Sequence, residues 1–571
     1  MKVVGVAVIC ARIALACTHV RQLTQRACVS DSPERAAWES GMQKTVAVIG
    51  GGIGGLSACY HLTKSSQVFK IVLLESSSRL GGWLRSTRTE DGAVFEHGPR
   101  GIRPAGNVGK NTLKMVSELG LENEILPVTS DNIASKNRFL YVGGKLHKMP
   151  SGAAGVLRKV PPFSRALVSS VARELLVKRG TQEDESVHGF VERRLGKEHC
   201  WCPVAVFCDV RGRFVVSSPQ LADFAIDSLC RGVYAGDCRK LSVRSCFPPL
   251  FRAERDYGSI VLGMAFGRTE KAAELESKLA QKSREEGWAQ WSLRQGMQAL
   301  PEALEDWLRR TGRVEILQEV EVQRLERTAG GSAWEIKLHD GSIKADHIIS
   351  AMPAKALSSV LPPGASPLSE ELRRITSVTV AVVNLEYEGL ILPVKGFGHL
   401  VPSSESRGVL GIVYDSVAFP QHNRKDGQST RLTVMMGGAW FSEVFGDPEE
   451  VREELLLQTA AQAVRTHLGV DAEPIWSNVS LQKDCIPQYT VGHWERIDKI
   501  RQYLGQHSLP LSLVGSSYQG VSVNDVIFSS KTAVERLLGN EQTHLDTLGQ
   551  SSDMVSLLCE FVGVFSGFLT E

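Results

Sequence analysis

The stretch Val46-Ala47-Val48-Ile49-Gly50-Gly51-Gly52-Ile53-Gly54-Gly55-Leu56 decides the fold of this chain. Four apolar residues predict a buried parallel strand, the glycines predict a tight turn, and the residues that follow predict a helix. Gly50, Gly52 and Gly55 have the G-x-G-x-x-G spacing that places a dinucleotide pyrophosphate at a helix N-terminus. Backbone N–H groups can approach the phosphate there because no side chains intervene. We predict that all six residues of 50–55 contact the dinucleotide.

A second predicted strand supports this interpretation. Ile71-Val72-Leu73-Leu74 ends at Glu75, which lies 20 residues after Gly55. A carboxylate at this position hydrogen-bonds the ribose hydroxyls of the dinucleotide. The alternative is a glycine-rich turn in an ordinary α/β unit, because a chain with 53 glycines contains such spacings by chance.

The residues after Glu75 indicate which dinucleotide binds. Glu75-Ser76-Ser77-Ser78-Arg79-Leu80-Gly81-Gly82-Trp83 reads E-x-x-x-R-x-G-G. This pattern resembles the amine-oxidase-like group of flavoproteins, where it continues the FAD site. Residues 91–100 strengthen the likeness, since in that group a hairpin ending in Gly-Pro brings its backbone to the flavin ring. The resemblance implies FAD contacts from Glu75, Ser76 and Trp83, and from Gly98, Pro99, Arg100 and Gly101.

Composition limits the other functions of the chain. Its 571 residues predict more than one domain, and 43% hydrophobic with 22% charged residues is typical of a globular fold. A net charge of +2 gives no indication of a nucleic-acid partner. The 12 cysteines form no C-x-x-C pair and no zinc-like array, which predicts a reduced intracellular protein without a metal site. No apolar run of 18 residues occurs, and the nearest candidate, Met554 to Leu569, is interrupted by Glu560.

Residues 1–41 precede the predicted fold and have their own character. They contain four basic residues before the first acid, Asp31, which resembles a mitochondrial presequence. A secretory signal is less consistent, because Arg12 interrupts the apolar core. An artefact of gene prediction stays open as well, since a start at Met42 gives a complete domain.

The later chain alternates helical and strand-like patterns. We predict an α/β fold, α+β overall, with a Rossmann-like FAD-binding domain of the amine-oxidase type built from three chain segments. A substrate-binding sheet domain and a helical membrane-facing domain are inserted between them. The predicted divisions are an N-terminal extension (1–41), FAD segments (42–130, 286–355 and 506–540), a helical part with an atypical insert at 200–220 (131–285), a substrate-binding part (356–505) and a tail (541–571).

The region 150–198 is mostly helical in pattern and carries basic residues among apolar ones. These are Arg158, Lys159, Arg165, Arg173, Lys178 and Arg179. The pattern suits an amphipathic segment on a membrane surface, although a solvated basic face explains it equally well.

Seven further stretches make the resemblance more specific. In order along the chain they are similar to the protoporphyrinogen oxidases of animal mitochondria: His97–Pro104, Asn137–Val142, Asp227–Gly232, Gly396–Ser403, Gly411–Pro420, Cys485–Thr490 and Gly520–Asp525. The resemblance implies a six-electron oxidation of protoporphyrinogen IX to protoporphyrin IX, the penultimate step of haem synthesis, with O2 as acceptor and H2O2 as product. It also implies a homodimer bound peripherally to the mitochondrial inner membrane on the intermembrane-space side.

The resemblance also assigns site residues. Val322 would lie near the adenine, and Ser516, Val521, Ser522 and Val523 would lie at the flavin. Arg138 would pair with a propionate carboxylate, although a structural ion pair is its alternative. Gly232 would leave room for the macrocycle, which would be sandwiched by apolar residues that are otherwise typical of a core: Phe397, Leu400, Met435 and Ile486. Aromatisation drives the reaction, so no catalytic acid, base, nucleophile or metal is expected, and His97 and His399 are interpreted as structural.

The chain departs from the family at residues 200–220 and after Gly539. About twenty additional residues separate Glu198 from Leu221, and they resemble translated non-coding sequence. One alternative is therefore an inactive FAD-binding splice form, which deletion of 200–220 and a comparison of rates would test. The other alternative is an amine or polyamine oxidase on the same fold. Tyr518 would be one of the two aromatic residues that such an oxidase typically places at the flavin, but the sequence pattern for the second one is missing.

Overall fold

The computed structural model describes residues 44–150, 158–163, 167–196, 222–266, 276–328 and 331–539, with only the backbone for 167–169. The predicted N-terminal extension, the insert at 200–220, the tail with its Met554 to Leu569 stretch, and Arg165 lie outside the described residues. No helix of the described part has the length and apolar character needed to span a membrane.

The strands follow one another along the whole described chain. They are β1 (Lys44–Ile49), β2 (Val68–Leu74), β3 (Ser86–Arg88), β4 (Val94–Glu96), β5 (Ile125–Thr129), β6 (Arg138–Val142), β7 (Lys145–Lys148), β8 (Trp288–Leu293), β9 (Val314–Leu317), β10 (Val322–Arg327), β11 (Trp334–Leu338), β12 (Gly341–Ala345), β13 (His347–Ser350), β14 (Ser377–Glu388), β15 (Gly398–Leu400), β16 (Val409–Val413), β17 (Ser429–Gly438), β18 (Trp476–Pro487) and β19 (Leu511–Leu513).

The α-helices lie between these strands. They are α1 (Ile53–Thr63), α2 (Gly106–Glu118), α3 (Ile133–Lys136), α4 (Leu167–Glu174), α5 (Val187–Leu195), α6 (Asp227–Tyr234), α7 (Val243–Cys246), α8 (Pro248–Tyr257), α9 (Ile260–Phe266), α10 (Lys278–Glu285), α11 (Ala299–Thr311), α12 (Ala354–Val360), α13 (Ser366–Arg373), α14 (Asp415–Ala418), α15 (Phe441–Phe445), α16 (Glu453–Leu468), α17 (His493–Gln506) and α18 (Val523–Leu537). A π-helical turn, Ala222–Ile226, leads into α6.

A five-stranded parallel sheet forms the centre of the dinucleotide-binding part. Its order is β19-β13-β1-β2-β9, so strands that are distant in the chain become neighbours. Val46 and Val48 of β1 pack into the core that contains α1, whereas Ala47 and Ile49 pack into the core on the other face. This burial on both faces explains why β1 is a continuous apolar run. The prediction of an α/β fold with a parallel sheet assembled from separate chain segments is confirmed.

A larger mixed sheet, which we call the wide sheet, lies beside the flavin domain. Its order is β18-β14-β17-β16-β15-β6-β7. β6 and β7 come from the predicted helical part 131–285, and they join this sheet through the parallel pair β15–β6. One face of the wide sheet packs on α16, and the other is turned toward the helices α4 to α9. The domain boundaries that we drew from the sequence stay predictions.

The helical part differs from its sequence pattern in one respect. Residues 175–186 are not helical, although we expected 150–198 to be mostly helical. Their backbone is fixed from outside the segment: the N–H of Gly180 donates to the Glu254 carboxylate at 2.9 Å. Asp184 accepts from the Ser242 hydroxyl at 2.7 Å and from the Gly492 N–H at 3.0 Å. These long-range bonds replace the local ones of a helix.

Candidate functional site

The glycine turn between β1 and α1 is built by close backbone approach. A Cβ atom added at Gly55 would overlap the carbonyl oxygen of Gly50, so the first turn of α1 lies directly on the end of β1. Gly50 has φ +101°, which favours glycine, and its N–H donates to the Leu74 carbonyl at 2.8 Å. The first N–H groups of α1 have no partner within the helix. They provide the positive end that binds a pyrophosphate.

Glu75 lies at the carboxyl end of β2, directly beside this turn. Its Oε2 accepts from the Gly51 N–H at 2.6 Å, and its Oε1 accepts from the Ser77 N–H at 2.8 Å. The carboxylate is half-buried, so it can exchange these neutral donors for ribose hydroxyls. Ser76, the next residue, is exposed.

The residues after Glu75 fold back against the glycine turn. The Gly81 N–H donates to the Gly51 carbonyl at 2.9 Å, and a Cβ at Gly82 would lie 3.1 Å from the Cα of Gly52. Arg79 holds this loop, because its guanidinium donates to the carbonyls of Leu80 and Gly82. The E-x-x-x-R-x-G-G pattern therefore forms one loop that lies over the dinucleotide turn.

Val322 begins β10 on the other side of Glu75. The N–H of Val320, two residues earlier, donates to the Glu75 carbonyl at 2.9 Å, and Val322 is buried in the core with Ile49 and Leu74. The structure thus brings Val322 close to the predicted ribose-binding acid, as its predicted place near the adenine requires.

The β3–β4 hairpin leads to the predicted flavin contacts at 98–101. Gly98 lies against Trp83, because an added Cβ would overlap the Trp83 carbonyl oxygen. The wide sheet holds the end of this hairpin: Asn384 donates to the Glu96 carbonyl at 3.1 Å, and Gln482 donates to the His97 carbonyl at 3.0 Å. The flavin hairpin is therefore fixed to the wide sheet.

Arg100 is buried, and its side chain binds Asp415 rather than solvent. The ion pair joins Nη1 of Arg100 to Oδ1 of Asp415 at 2.7 Å, while Oδ2 accepts from Thr433 at 2.7 Å. The buried guanidinium of Arg431 donates to the Val94 and Phe419 carbonyls, which adds a second tie between hairpin and sheet. Arg100 thus supports the flavin hairpin, and no sequence signal identified Asp415 as its partner.

The last FAD segment presents the N-terminus of α18. Ser522 caps the helix: its hydroxyl accepts from the Asp525 N–H at 3.2 Å and donates to the Asp525 carboxylate at 2.7 Å. Gly520 has φ +76° and lies against the Asp525 side chain, where a Cβ would overlap. Burial raises the pKa of Asp525 to about 6. The sequence analysis missed this residue, although Ser522-x-x-Asp525 matches a capping box.

The two flavin segments meet in space. Pro99 and Gly101 of the hairpin and Val521, Ser522 and Val523 of the helix start line the same cavity, which has a volume of about 500 Å³. Asn524 ties the segments together by donating to the Arg103 carbonyl at 2.9 Å. Ser516, from the same segment, accepts from the Tyr489 hydroxyl through its carbonyl.

The predicted substrate residues converge on one face of the wide sheet. Arg138 pairs with Gly398, Leu400 pairs with Gly411, and Gly411 pairs with Met435. Directly paired residues lie on the same face of a sheet, and so do Gly398 and Leu400, which are two positions apart on β15. Arg138, Leu400 and Met435 therefore lie on one face of the wide sheet. Ile486 pairs with Val378 and packs with Met435. We call this surface the substrate face.

Gly232 of α6 lies opposite this face. A Cβ at Gly232 would lie 3.0 Å from a methyl carbon of Leu400. Phe397 packs instead at the edge, against Val128 and Phe419, and the Phe419 ring would lie 3.3 Å from a Cβ at Gly101. Phe397 therefore lies near Gly101 of the flavin hairpin, apart from the other predicted substrate residues. The six substrate assignments stay predictions.

His97 and His399, from two of the stretches that resemble the family, contact other side chains of the protein. His97 contacts Thr87 at 2.7 Å and Ser480, and burial lowers the pKa of His97 to about 4. His399 lies on the opposite face of β15 from Leu400 and contacts Tyr414 at 2.8 Å. Burial also lowers the pKa of His399, and the structural interpretation of both histidines stays a prediction.

These residues fit FAD in three respects. The glycine turn leaves no room for a Cβ at Gly51 or Gly55 and presents helix N–H groups. Glu75 supplies a ribose acceptor, and the start of α18 supplies a second positive helix end at the flavin segments. No group of three potential metal ligands occurs in the described part of the chain.

Comparison with known proteins gives consistent relatives. The family of flavin containing amine oxidoreductases matches residues 53–538. The protoporphyrinogen oxidases of Homo sapiens and Bos taurus are each 50% identical over 502 residues, which cover 88% of this chain and 99% of each relative.

Solved structures share the fold at lower identity. A candidate protoporphyrinogen oxidase from Exiguobacterium sp. 255-15 matches with a TM-score of 0.67 and 24% identity, covering 88% of this chain and all of that chain. Cyclohexylamine oxidase from Brevibacterium oxydans matches with a TM-score of 0.60 and 14% identity, covering 87% of this chain and 99% of its own. The chain belongs to the flavin containing amine oxidoreductases and, within them, to the protoporphyrinogen oxidase family.

Proposed function

We propose that this protein oxidises protoporphyrinogen IX to protoporphyrin IX by removing six electrons, with O2 as acceptor and H2O2 as product. This is the penultimate step of haem biosynthesis. One observation carries the proposal: a guanidinium, Arg138, lies on the same sheet face as a row of half-buried apolar side chains, and Gly232 of α6 lies against that row. A flat apolar molecule with acidic substituents complements such a face.

The chain's own residues would bind, orient and shield the substrate. Arg138 would pair with a propionate carboxylate and thereby fix the orientation of the macrocycle. Leu400, Met435 and Ile486 would contact its plane and exclude water, and Gly232 would allow close approach from α6. Bound FAD supplies a two-electron sink, so complete oxidation requires three cycles. The residues of the site need only position the substrate, because aromatisation drives the loss of hydride and protons.

Replacing Arg138 tests this assignment. We expect Arg138→Leu to raise KM for protoporphyrinogen IX about ten- to hundredfold, since a hydrogen-bonded charge pair contributes about 1.5–3 kcal/mol. The value of kcat should change far less, because Arg138 orients the substrate without taking part in electron transfer. Porphyrin fluorescence measures the rates, and the flavin spectrum checks that the cofactor stays bound.

The matched control is Arg310→Leu, which removes an exposed arginine of α11, outside the wide sheet. Its KM should equal that of the unchanged protein. An Arg138→Leu protein with unchanged KM would refute the propionate assignment. Turnover of amines with none of the porphyrinogen would refute the function itself.

We also propose that the protein is a peripheral homodimer on the mitochondrial inner membrane, at the intermembrane-space side. Leu176 is 67% exposed and Phe266 is 60% exposed, and Arg173, Lys178 and Arg179 are exposed beside Leu176 in the chain. Apolar side chains next to cations favour attachment to anionic lipids.

We expect the protein to co-sediment with anionic vesicles, and we expect Leu176→Asp to weaken this co-sedimentation. Equal recovery of both proteins in the supernatant would contradict the membrane proposal, and fractionation of cells tests the location.

A further inference from the structure

The cavity of about 500 Å³ extends beyond the two flavin segments. Its outer wall comes from α7, α8 and α17 and includes Ser245, Phe251 and Trp494. These residues belong neither to the predicted FAD contacts nor to the substrate face. We call this outer part the side channel.

Helix α6 separates the side channel from the substrate face. Gly232 lies against Leu400 of that face, whereas Tyr234 lines the cavity. Residues two apart on an α-helix point in nearly opposite directions, because each residue turns the chain by about 100°. The flavin segments can therefore be approached from two sides of α6.

The wall of the side channel carries polar atoms without protein partners. The Tyr518 hydroxyl, the Trp494 indole N–H and the Ser245 hydroxyl are buried and make no hydrogen bond within the described part of the chain. Tyr518 is 8% exposed and lines the cavity. Buried polar atoms are normally satisfied, so these three indicate that the channel holds water or another small hydrogen-bonding molecule.

The proposed reaction needs such a second approach. Three successive two-electron oxidations of one macrocycle require O2 three times. A tetrapyrrole held on the substrate face covers the flavin from that side. If the macrocycle stays bound between cycles, O2 must reach the flavin elsewhere and H2O2 must leave elsewhere.

We infer that the side channel is the route by which O2 reaches the flavin and H2O2 departs. This inference rests on the proposed function for its acceptor. In each cycle two electrons and two protons removed from the substrate end on O2, which leaves as H2O2. The unpartnered Tyr518 hydroxyl and Trp494 indole N–H would hydrogen-bond the departing peroxide, and the side chains of Phe251 and Ser245 line the path of O2.

A graded series at Ser245 tests the inference. Ser245→Ala removes the hydroxyl and keeps the space, whereas Ser245→Leu and Ser245→Trp fill the channel. The holoenzyme is reduced anaerobically and mixed with O2 in a stopped-flow spectrometer, and the flavin absorbance gives the reoxidation rate. We expect an unchanged rate for Ala, a lower rate for Leu, and a rate about tenfold or more below the original for Trp, because a narrowed entrance limits encounter.

Two further measurements keep the outcomes distinct. The rate of anaerobic flavin reduction by protoporphyrinogen IX should be the same in all variants. If protoporphyrinogen IX does not reduce the flavin at all, the proposed function is refuted, while the reoxidation rate can still be measured after chemical reduction. Xenon, an apolar probe of O2 size, should occupy the channel in pressurised crystals of the Ala variant and not of the Trp variant.

Ser359→Trp, on the exposed side of α12, is the control. Equal reoxidation rates in the Leu and Trp variants and the unchanged protein would overturn the inference.

Discussion

Replacing Gly55 with alanine is expected to weaken FAD binding at least about hundredfold, so that the purified protein is colourless. The added Cβ would overlap the carbonyl oxygen of Gly50, and neither atom can move without displacing β1 or α1. The N–H groups that face the pyrophosphate would then lose their positions, and each hydrogen bond to a charged group contributes about 1.5–3 kcal/mol. Titration of the apoprotein with FAD, followed by flavin fluorescence, measures the loss.

The matched control is Gly505→Ala in α17. No atom lies within 4 Å of a Cβ added there, and alanine stabilises a helix interior by about 1 kcal/mol relative to glycine. This variant should bind FAD as tightly as the unchanged protein. A yellow Gly55→Ala protein with unchanged affinity would contradict the assignment of this turn as the pyrophosphate site.

Replacing Arg194 with leucine is expected to lower the free energy of unfolding of the helical part by about 3–5 kcal/mol, since it leaves buried carboxylates without their cation. Arg194 of α5 is fully buried and forms ion pairs with Glu174 of α4 and, at 3.3 Å, with Glu254 of α8. The Glu174 carboxylate also accepts from the Ser259 hydroxyl at 2.6 Å and the Ile260 N–H at 2.7 Å. Thermal unfolding followed by circular dichroism measures the change.

The double variant Arg194→Leu/Glu174→Leu tests whether the loss of stability comes from a buried carboxylate left without its cation. An apolar pair in place of the ion pair should recover part of the lost stability, because one buried charge no longer lacks a partner. Arg310→Ala, which breaks an exposed pair with Asp306, should change stability by less than about 1 kcal/mol. A single Arg194→Leu variant as stable as Arg310→Ala would show that the buried pairs do not hold the helices.

Several site features were readable from the sequence because they are local. The glycine turn depends on residues within a few positions of one another, and the acid that follows is at the end of the next strand of the same unit. The non-helical course of 175–186 within the mostly helical pattern of 150–198 was not readable, because hydrogen bonds to Glu254, Ser242 and Gly492 hold that segment and its own sequence shows none of them.

By itself, the sequence determined the flavin fold and its cofactor. Glycines without a Cβ, apolar runs and one acid restrict the backbone locally, and the remaining motifs place the chain in its family. Only the tertiary structure decided that Arg138, Leu400, Met435 and Ile486 share one sheet face and that Arg100 binds Asp415. It also decided that Gly232 of α6 lies against this face while Tyr234 lines the cavity. These relations join residues hundreds of positions apart. Strand register and helix packing determine these contacts. Both depend on the burial of apolar surfaces contributed by distant segments, so no single stretch of sequence reveals them.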